Sequence, residues 1–403
     1  MEFTLQIYEN QLTIMKTTIL IILLLAGVQM NSYAQQALWG GEEIISPEVH
    51  QDGTITFRIQ APEASTVRLL GDWMPSEGWS HGFLEMEKDE EGLWTVTAGP
   101  LVSDLYTYFF MVDGVRVLDP ANVHVVRDVA SLFNIVAVGE GAGDYYMPGD
   151  LPRGTIARMW YNSSSLEKER RITIYTPPGY EESEEEYPVL YLLHGMGGDE
   201  EAWITLGRTA QIMDRLIAEG KAVPMVVVMP NGNVAQQAAP GHSREGLTRP
   251  GMMLPNTMDG VYERSFGDIV EFVENRYRVI TEKSSRAIAG LSMGGFHSLH
   301  ISRTYPDTFG YVGLFSPAIF PMEGTSAEIY EDLEGSLQRQ KEAGVTHYRI
   351  AIGKDDFLYG QVEEFKELLD SLEFNYEYHE TEGGHTWKNW RDYLRDFVPV
   401  LFR

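Results

Sequence analysis

The chain has no cysteine among its 403 residues. That excludes structural disulfides, a thiol nucleophile and lipid attachment through an N-terminal cysteine. It has no apolar run near the ~20 residues needed to span a bilayer. It is also short of positive charge, with 31 Lys and Arg against 59 Asp and Glu, a formal net charge of −28. Phosphate-rich nucleic acid would be repelled, and strongly anionic substrates are disfavoured unless a local basic pocket exists. No His-Glu-x-x-His pattern and no calcium loop occur, so neither a metal nor a cofactor is expected. No internal repeat is visible. The composition, 43% hydrophobic and 22% charged, suits a globular protein of two or three domains.

What is present begins with a leader. Met15-Lys16 is a short charged start, Thr18 to Val28 an apolar core, and Ser32-Tyr33-Ala34 a small-residue cleavage site before Gln35. Residues 1–34 are expected to be a secretory signal with its true start at Met15, so the mature protein would be periplasmic or secreted and carry no membrane anchor. Alternating strands are then predicted over 54–60, 66–70, 93–98, 105–112 and 132–138, with turn residues at short spacing and no helical pattern. This describes an all-β sandwich over 40–140. Glycine and proline at 139–144 and 147–152 suggest a linker over 141–160, and from 161 to 403 strands and helices alternate. A mainly parallel sheet with helices on both faces is implied there. Helices are predicted over 205–219, 262–277, 295–305, 327–343, 361–372 and 387–402, and late strands over 311–314, 348–352 and 375–380. The acidic run from Glu181 to Glu186 reads as a solvated turn.

Gly290-Leu291-Ser292-Met293-Gly294-Gly295 is the most informative stretch. A short apolar strand, 286–289, precedes it and a helical pattern follows. A serine between strand end and helix start sits on a sharp turn that pushes its hydroxyl outward, and flanking glycines avoid collisions with strand and helix. The Met293 N–H, at the helix start, is left to face an anion. Such a serine needs a base, itself oriented by a carboxylate, and both should follow it in the order acid, then histidine. His297 and His300 fall on the next helix and read as helix packing or solvent face. His347 and His379 belong to strands. His385, in Glu382-Gly383-Gly384-His385-Thr386-Trp387, lies in a loop between the last strand and the last helix, where open α/β sheets place their sites. The acid should end the preceding strand, in Lys354-Asp355-Asp356-Phe357. Asp356 is the choice, although spacing separates it poorly from Asp355. The buried run Pro188 to Leu193 ends in His194-Gly195-Met196-Gly197-Gly198, whose Met196 N–H would pair with that of Met293 as an oxyanion hole. His194 itself reads as a structural hydrogen-bonder.

With these residues in place the chain resembles carbohydrate esterase family 1, the feruloyl and acetylxylan esterases with relatives among esterase D and the siderophore esterases. The matching pieces are Tyr191 to Gly198, Arg286 to Gly295, Gly353 to Asp356, and Gly383 to His385, spread over 172–403. The resemblance implies an α/β-hydrolase fold, favours Asp356 as the last acidic residue of its loop, and supports Met196 and Met293 as oxyanion donors. The region 45–138 looks like the immunoglobulin-like domain often attached to such esterases, related to carbohydrate-binding module family 48. Its signature pieces are Phe57 to Pro62, Gly71-Asp72-Trp73, Gly92-Leu93-Trp94, Leu105 to Tyr108 and Val112-Asp113-Gly114.

The expected function is a secreted serine esterase that releases ferulic acid from plant-wall polysaccharide such as arabinoxylan. Acetylxylan deacetylation and siderophore-ester hydrolysis are the alternatives, and a binding protein with an inactive hydrolase domain is the rival from another class. The long connection 231–258, rich in Gly, Pro, Gln and Met, would supply a lid or acyl-pocket wall, with Met252 and Met253 as apolar contacts. Trp203, Phe320 and Trp387 are further candidates to clasp an aromatic acyl group. In the β domain, Trp94 reads as core, while Trp73 and above all Trp79 are candidates to stack on sugar rings.

Overall fold

A computed structural model of the chain describes residues 44–77, 80–244, 250–252, 254–321 and 327–403. The leader expected at 1–34 with its start at Met15, and the contacts expected of Trp79 and Met253, lie outside the described residues. From Ser46 onward the chain forms one compact unit.

Its N-terminal part is built on two antiparallel sheets, with a small two-stranded one, Ser76–Glu77 and Ser80–His81, beside them in sequence. One runs Glu48–Val49, Ile55–Gln60, Leu93–Ala98, Glu87–Lys88, and the other Val125–Asp128, Ser131–Val138, Asp104–Val112, Val67–Gly71, Leu84–Glu85. Side chains alternate along such strands, so one face of each sheet fills the space between them. Phe57, Val67, Leu69, Tyr108 and Phe110 are buried there. Trp94 is core as expected, its indole N–H on the Ala61 carbonyl at 2.9 Å. Trp73 also serves the fold, stacked 5.8 Å from Phe57 and edge-on to Tyr106.

The C-terminal part is an eight-stranded sheet in the order Thr155–Ser163, Lys168–Thr176, Val226–Pro230, Val189–Leu193, Arg286–Leu291, Tyr311–Phe315, His347–Gly353, Glu377–Thr381. The first two pairings are antiparallel and all the rest parallel. Val189–Leu193, Val226–Pro230 and Tyr311–Phe315 are buried at every position, because helices cover both faces of a parallel sheet. The architecture is the α/β-hydrolase kind that the alternation of elements predicted, behind an all-β region.

The stretch 141–160 is not a loose linker. Ala142–Tyr145 make a 3-10 turn, Tyr146 is fully buried with its hydroxyl donating to Asp392 at 2.7 Å, and the edge strand begins at Thr155. Its glycines and prolines mark changes of direction rather than a flexible spacer. The helix predicted over 205–219 is two, Ala202–Thr205 and Thr209–Ala218. Arg208 takes a left-handed conformation (φ 56°) between them, which ends a helical run. The last helix, Trp387–Phe397, gives way to a 3-10 turn, Val398–Val400, around Pro399, which has no N–H to donate. This helix also joins the two parts: Arg391 donates to the Leu105 carbonyl at 2.7 Å, and Lys388 pairs with the buried Asp104.

Candidate active site

Ser292 caps the helix Met293–Thr304 at the end of the strand Arg286–Leu291, with φ 54° and ψ −115°. A non-glycine residue in that region is strained and persists only where surrounding structure holds it. Two glycines make the turn possible. A Cβ at Gly290 would lie 2.4 Å from the Gly294 carbonyl oxygen, and one at Gly294 would lie 2.3 Å from that of Leu193. The Ser292 N–H donates to Phe315 O at 2.8 Å, and its carbonyl accepts from Phe296 and Ala318. Met293 is the first helical residue, so its N–H has no acceptor within the helix.

The turn after Val189–Leu193 comes up beside the serine, since a Cβ on Gly195 would sit 3.3 Å from that of Ser292. His194 holds this turn. Its Nδ1–H donates to Gly195 O at 2.7 Å, and its Nε2 accepts from the Gly232 N–H at 2.8 Å. Complete burial pushes its pKa down to about 4, so the ring stays neutral with a fixed tautomer. It is the structural hydrogen-bonder that its position suggested. Glu200, just beyond, accepts two bonds from the Ala239 N–H and one from Asn231, pinning the start of the long 231–258 connection.

On the other side, His385 directs Nδ1 at both oxygens of Asp356, 2.9 and 3.0 Å away. Asp356 is 4% exposed and also accepts from the Leu358 N–H at 2.9 Å, while Asp355 faces solvent. Asp356 is therefore the carboxylate that orients the imidazole. The pairing fixes Nδ1 as the protonated nitrogen and leaves Nε2 as the base. The loops meet closely: a Cβ on Gly353 would strike the Gly383 carbonyl at 2.2 Å. Trp390 packs edge-on against the His385 ring at 4.8 Å, and Phe357 lies 4.5 Å from it.

The other histidines are elsewhere. His297 and His300 are completely buried rather than solvent-facing, His297 on Glu263 at 2.5 Å and His300 accepting from Arg303 at 2.8 Å. His347 contacts Glu377 at 3.1 Å.

The expected substrate contacts divide. Trp203 is 1% exposed, donates to Leu193 O at 2.9 Å and packs on Phe315 and Trp387, so it supports the strand below the turn. Its helix faces the sheet, which periodicity alone did not reveal. Phe320 is half-buried against the core. Met252 is 56% exposed, and its sulfur lies 3.1 Å from where a Gly197 Cβ would be, over the turn that follows His194. Trp387 is half-buried two residues after His385. Two neighbours were not anticipated. Phe357, 76% exposed, directly follows the acid, and Val129 reaches Gly197 from the β region. Adjacency to Asp356 could have indicated the first; nothing local in sequence indicates the second.

A strained serine at a strand–helix turn and a histidine held by a buried aspartate are the pattern of a serine hydrolase of the α/β-hydrolase fold. The family model "Putative esterase" matches residues 163–401. The chain belongs to this esterase family, and the matched region is a serine carboxylic-ester hydrolase. It is 28% identical over 369 residues to an "Endo-1,4-beta-xylanase/feruloyl esterase" of Xylanibacter ruminicola, covering 89% of this chain and 46% of that protein, so it spans about half of that relative's length. Among solved structures, a CE1 ferulic acid esterase from Anaeromyces mucronatus in complex with ferulic acid superposes with a TM-score of 0.52 at 26% identity, over 64% of this chain and 94% of that one. The enterobactin esterase FES from Shigella flexneri reaches a TM-score of 0.60 over 86% of this chain and 92% of its own, at 15% identity, a likeness of fold. The resemblance to carbohydrate esterase family 1 thus holds over the hydrolase region.

Proposed function

We propose that this protein removes hydroxycinnamoyl groups, ferulate first, from plant-wall polysaccharide such as arabinoxylan. The observation that carries the reading is the pairing of His385 with the buried Asp356, on a chain whose Ser292 sits strained at a strand–helix turn and which is similar to feruloyl esterases. Ser292 Oγ attacks the ester carbonyl as His385 Nε2 takes its proton. The negative oxygen is held by the N–H groups of Met196 and Met293, and a single such donor is worth about 3 kcal/mol. Collapse expels the sugar alcohol, which leaves with the proton from His385. Water, deprotonated by the same nitrogen, then attacks the acyl-serine, releasing the acid and restoring Ser292. Met252 over the oxyanion turn and Phe357 beside His385 are apolar surfaces suited to an aromatic acyl group or a sugar ring.

The leader pattern at 15–34 supports action outside the cytoplasm, and no described helix is long and apolar enough to cross a membrane. The β region is proposed to be a module of family 48 type. A polyanionic siderophore ester is disfavoured by the net charge of −28.

The test is product release from methyl ferulate and from acetylated xylan. Ferulate release supports the reading. Acetate alone moves the protein to xylan deacetylation, and neither product from folded protein overturns both.

A further inference from the structure

The loop that carries His385 runs directly into the helix Trp387–Phe397, whose first turn holds two tryptophans. Trp387 stands edge-on to Trp390 with ring centres 5.3 Å apart, and Trp390 stands edge-on to His385 at 4.8 Å. Trp387 also meets Trp203 at 5.5 Å, the indole that donates to Leu193 O under the turn following His194. Edge-to-face contacts fix the angle between rings as well as their separation. The orientation of Trp387 therefore reaches the imidazole through a single intervening ring.

A residue of the β region sets that orientation. The Trp387 indole N–H donates to the carboxylate of Asp128. Burial raises the Asp128 pKa, opposed by the Trp387 bond, the Arg127 charge and the Val129 backbone. The carboxylate is thus partly withdrawn from water to make this contact, and its place is firmly held. Asp128 pairs with Ser131 across a hairpin, so Val129 and Ala130 form a two-residue turn. Val129 has φ 49°, in a turn position that favours glycine, and a β-branched residue there is a genuine outlier. Arg127 donates to the Val129 carbonyl at 2.8 Å and pairs with Asp199. The Val129 methyl groups lie 2.8 and 3.0 Å from where a Gly197 Cβ would be. Such strain persists where the surroundings over-determine it. One hairpin tip thus rests on the turn that carries Gly197 and Asp199 while gripping the ring two residues beyond His385.

We propose that Asp128 is a positioning residue for the catalytic histidine: by fixing the Trp387 indole it fixes, through Trp390, the plane in which His385 presents Nε2 to the ester. The inference rests on His385 as the base and is independent of which acyl group or alcohol the ester contains. The β region then takes part in the chemical step itself, for every ester the enzyme cleaves.

The experiment measures kcat and KM for p-nitrophenyl acetate, which has neither a cinnamoyl group nor a sugar, so its outcome is separate from that of the feruloyl reading. Asp128→Ala should lower kcat by about tenfold or more, since misplacing a reacting group by about 1 Å can cost about a hundredfold. KM should stay within about twofold, because His385 serves acylation and deacylation alike and the two slow together. Asp128→Asn, whose amide oxygen still accepts from the indole, should restore most of the lost kcat. Trp387→Phe removes the donor and should match Asp128→Ala, and the double variant should be no slower than either alone. An unchanged kcat in Asp128→Ala, an equal loss in Asp128→Asn, or additive losses in the double variant overturns the proposal. If wild type is inert to this ester, the low-field proton resonance of His385 Nδ1–H decides instead. A resonance moved in Asp128→Ala and not in Asp128→Asn supports the positioning role; one unmoved in both overturns it. Should Asp128→Ala fail to fold, Trp387→Phe takes its place in both measurements.

Discussion

The hydrolase region and the β region meet at the oxyanion turn, and they arrive there differently. Hydrolase strands such as Val189–Leu193 and Tyr311–Phe315 are buried at every residue. With both faces packed, only their ends can carry chemistry, so Met196, Ser292, Asp356 and His385 all follow the C-terminal ends of strands. The β region instead alternates, burying Asn134, Val136 and Val138 of Ser131–Val138 while the residues between them are less covered. Its contribution comes from the tip of an edge hairpin, Val129. A parallel sheet fixes reactive atoms through rigid strand ends and glycine turns. An edge hairpin adds a wall whose residues can change without disturbing either core.

If all chemistry belongs to the hydrolase region, Ser292→Ala should lower ester hydrolysis by about a millionfold, with an unchanged circular dichroism spectrum. A residual rate within tenfold of wild type would break the comparison. Asp356→Asn, which spares the fold but not the tautomer of His385, should lower kcat by about 10⁴-fold. A comparable loss in Asp355→Asn would overturn the assignment of the acid.

A smaller effect separates two buried groups that flank the oxyanion turn. His194 has its pKa depressed to about 4 from 6.5, so the unfolded chain binds the extra proton and stability falls as pH drops from 6.5 towards 4. Glu200 is raised to about 7 from 4.5, because burial outweighs the Arg171 guanidinium 3.2 Å away, and it acts in the opposite direction: its stabilising share is present below pH 4.5 and lost as pH rises through 7. His194→Asn should remove only the first slope. Measured by urea unfolding, the variant should gain on wild type by about 3 kcal/mol between pH 7 and pH 4. Parallel profiles would show that His194 is not buried as a neutral ring. The smallest effect belongs to the β hairpin. Val129→Asn, which tolerates the left-handed conformation, should raise stability by about 1 kcal/mol, read as a rise of a few degrees in Tm. A lower Tm would mean that the valine's packing on Gly197 outweighs its strain.

Much of the fold was legible because period and spacing are local properties. The buried runs of the central strands, the alternation in the β region and the serine turn all appear within windows of about ten residues. The errors occurred where a distant contact decides. The 141–160 stretch has linker composition, yet Tyr146 packs under the last helix. Trp203 has the chemistry of a ligand contact, yet the helix that carries it faces the sheet.

By itself the sequence determined the nucleophile's turn, the order of acid and histidine behind it and the layering of the hydrolase, since each follows from short-range sterics and hydrophobic period. Only the tertiary structure decided that Asp356 rather than its neighbour meets His385, that the β region closes on the oxyanion turn through Val129, and that Asp128 meets the indole of Trp387. Those outcomes depend on which surfaces two separately patterned regions bury against each other, and that is settled by packing between residues far apart in the chain.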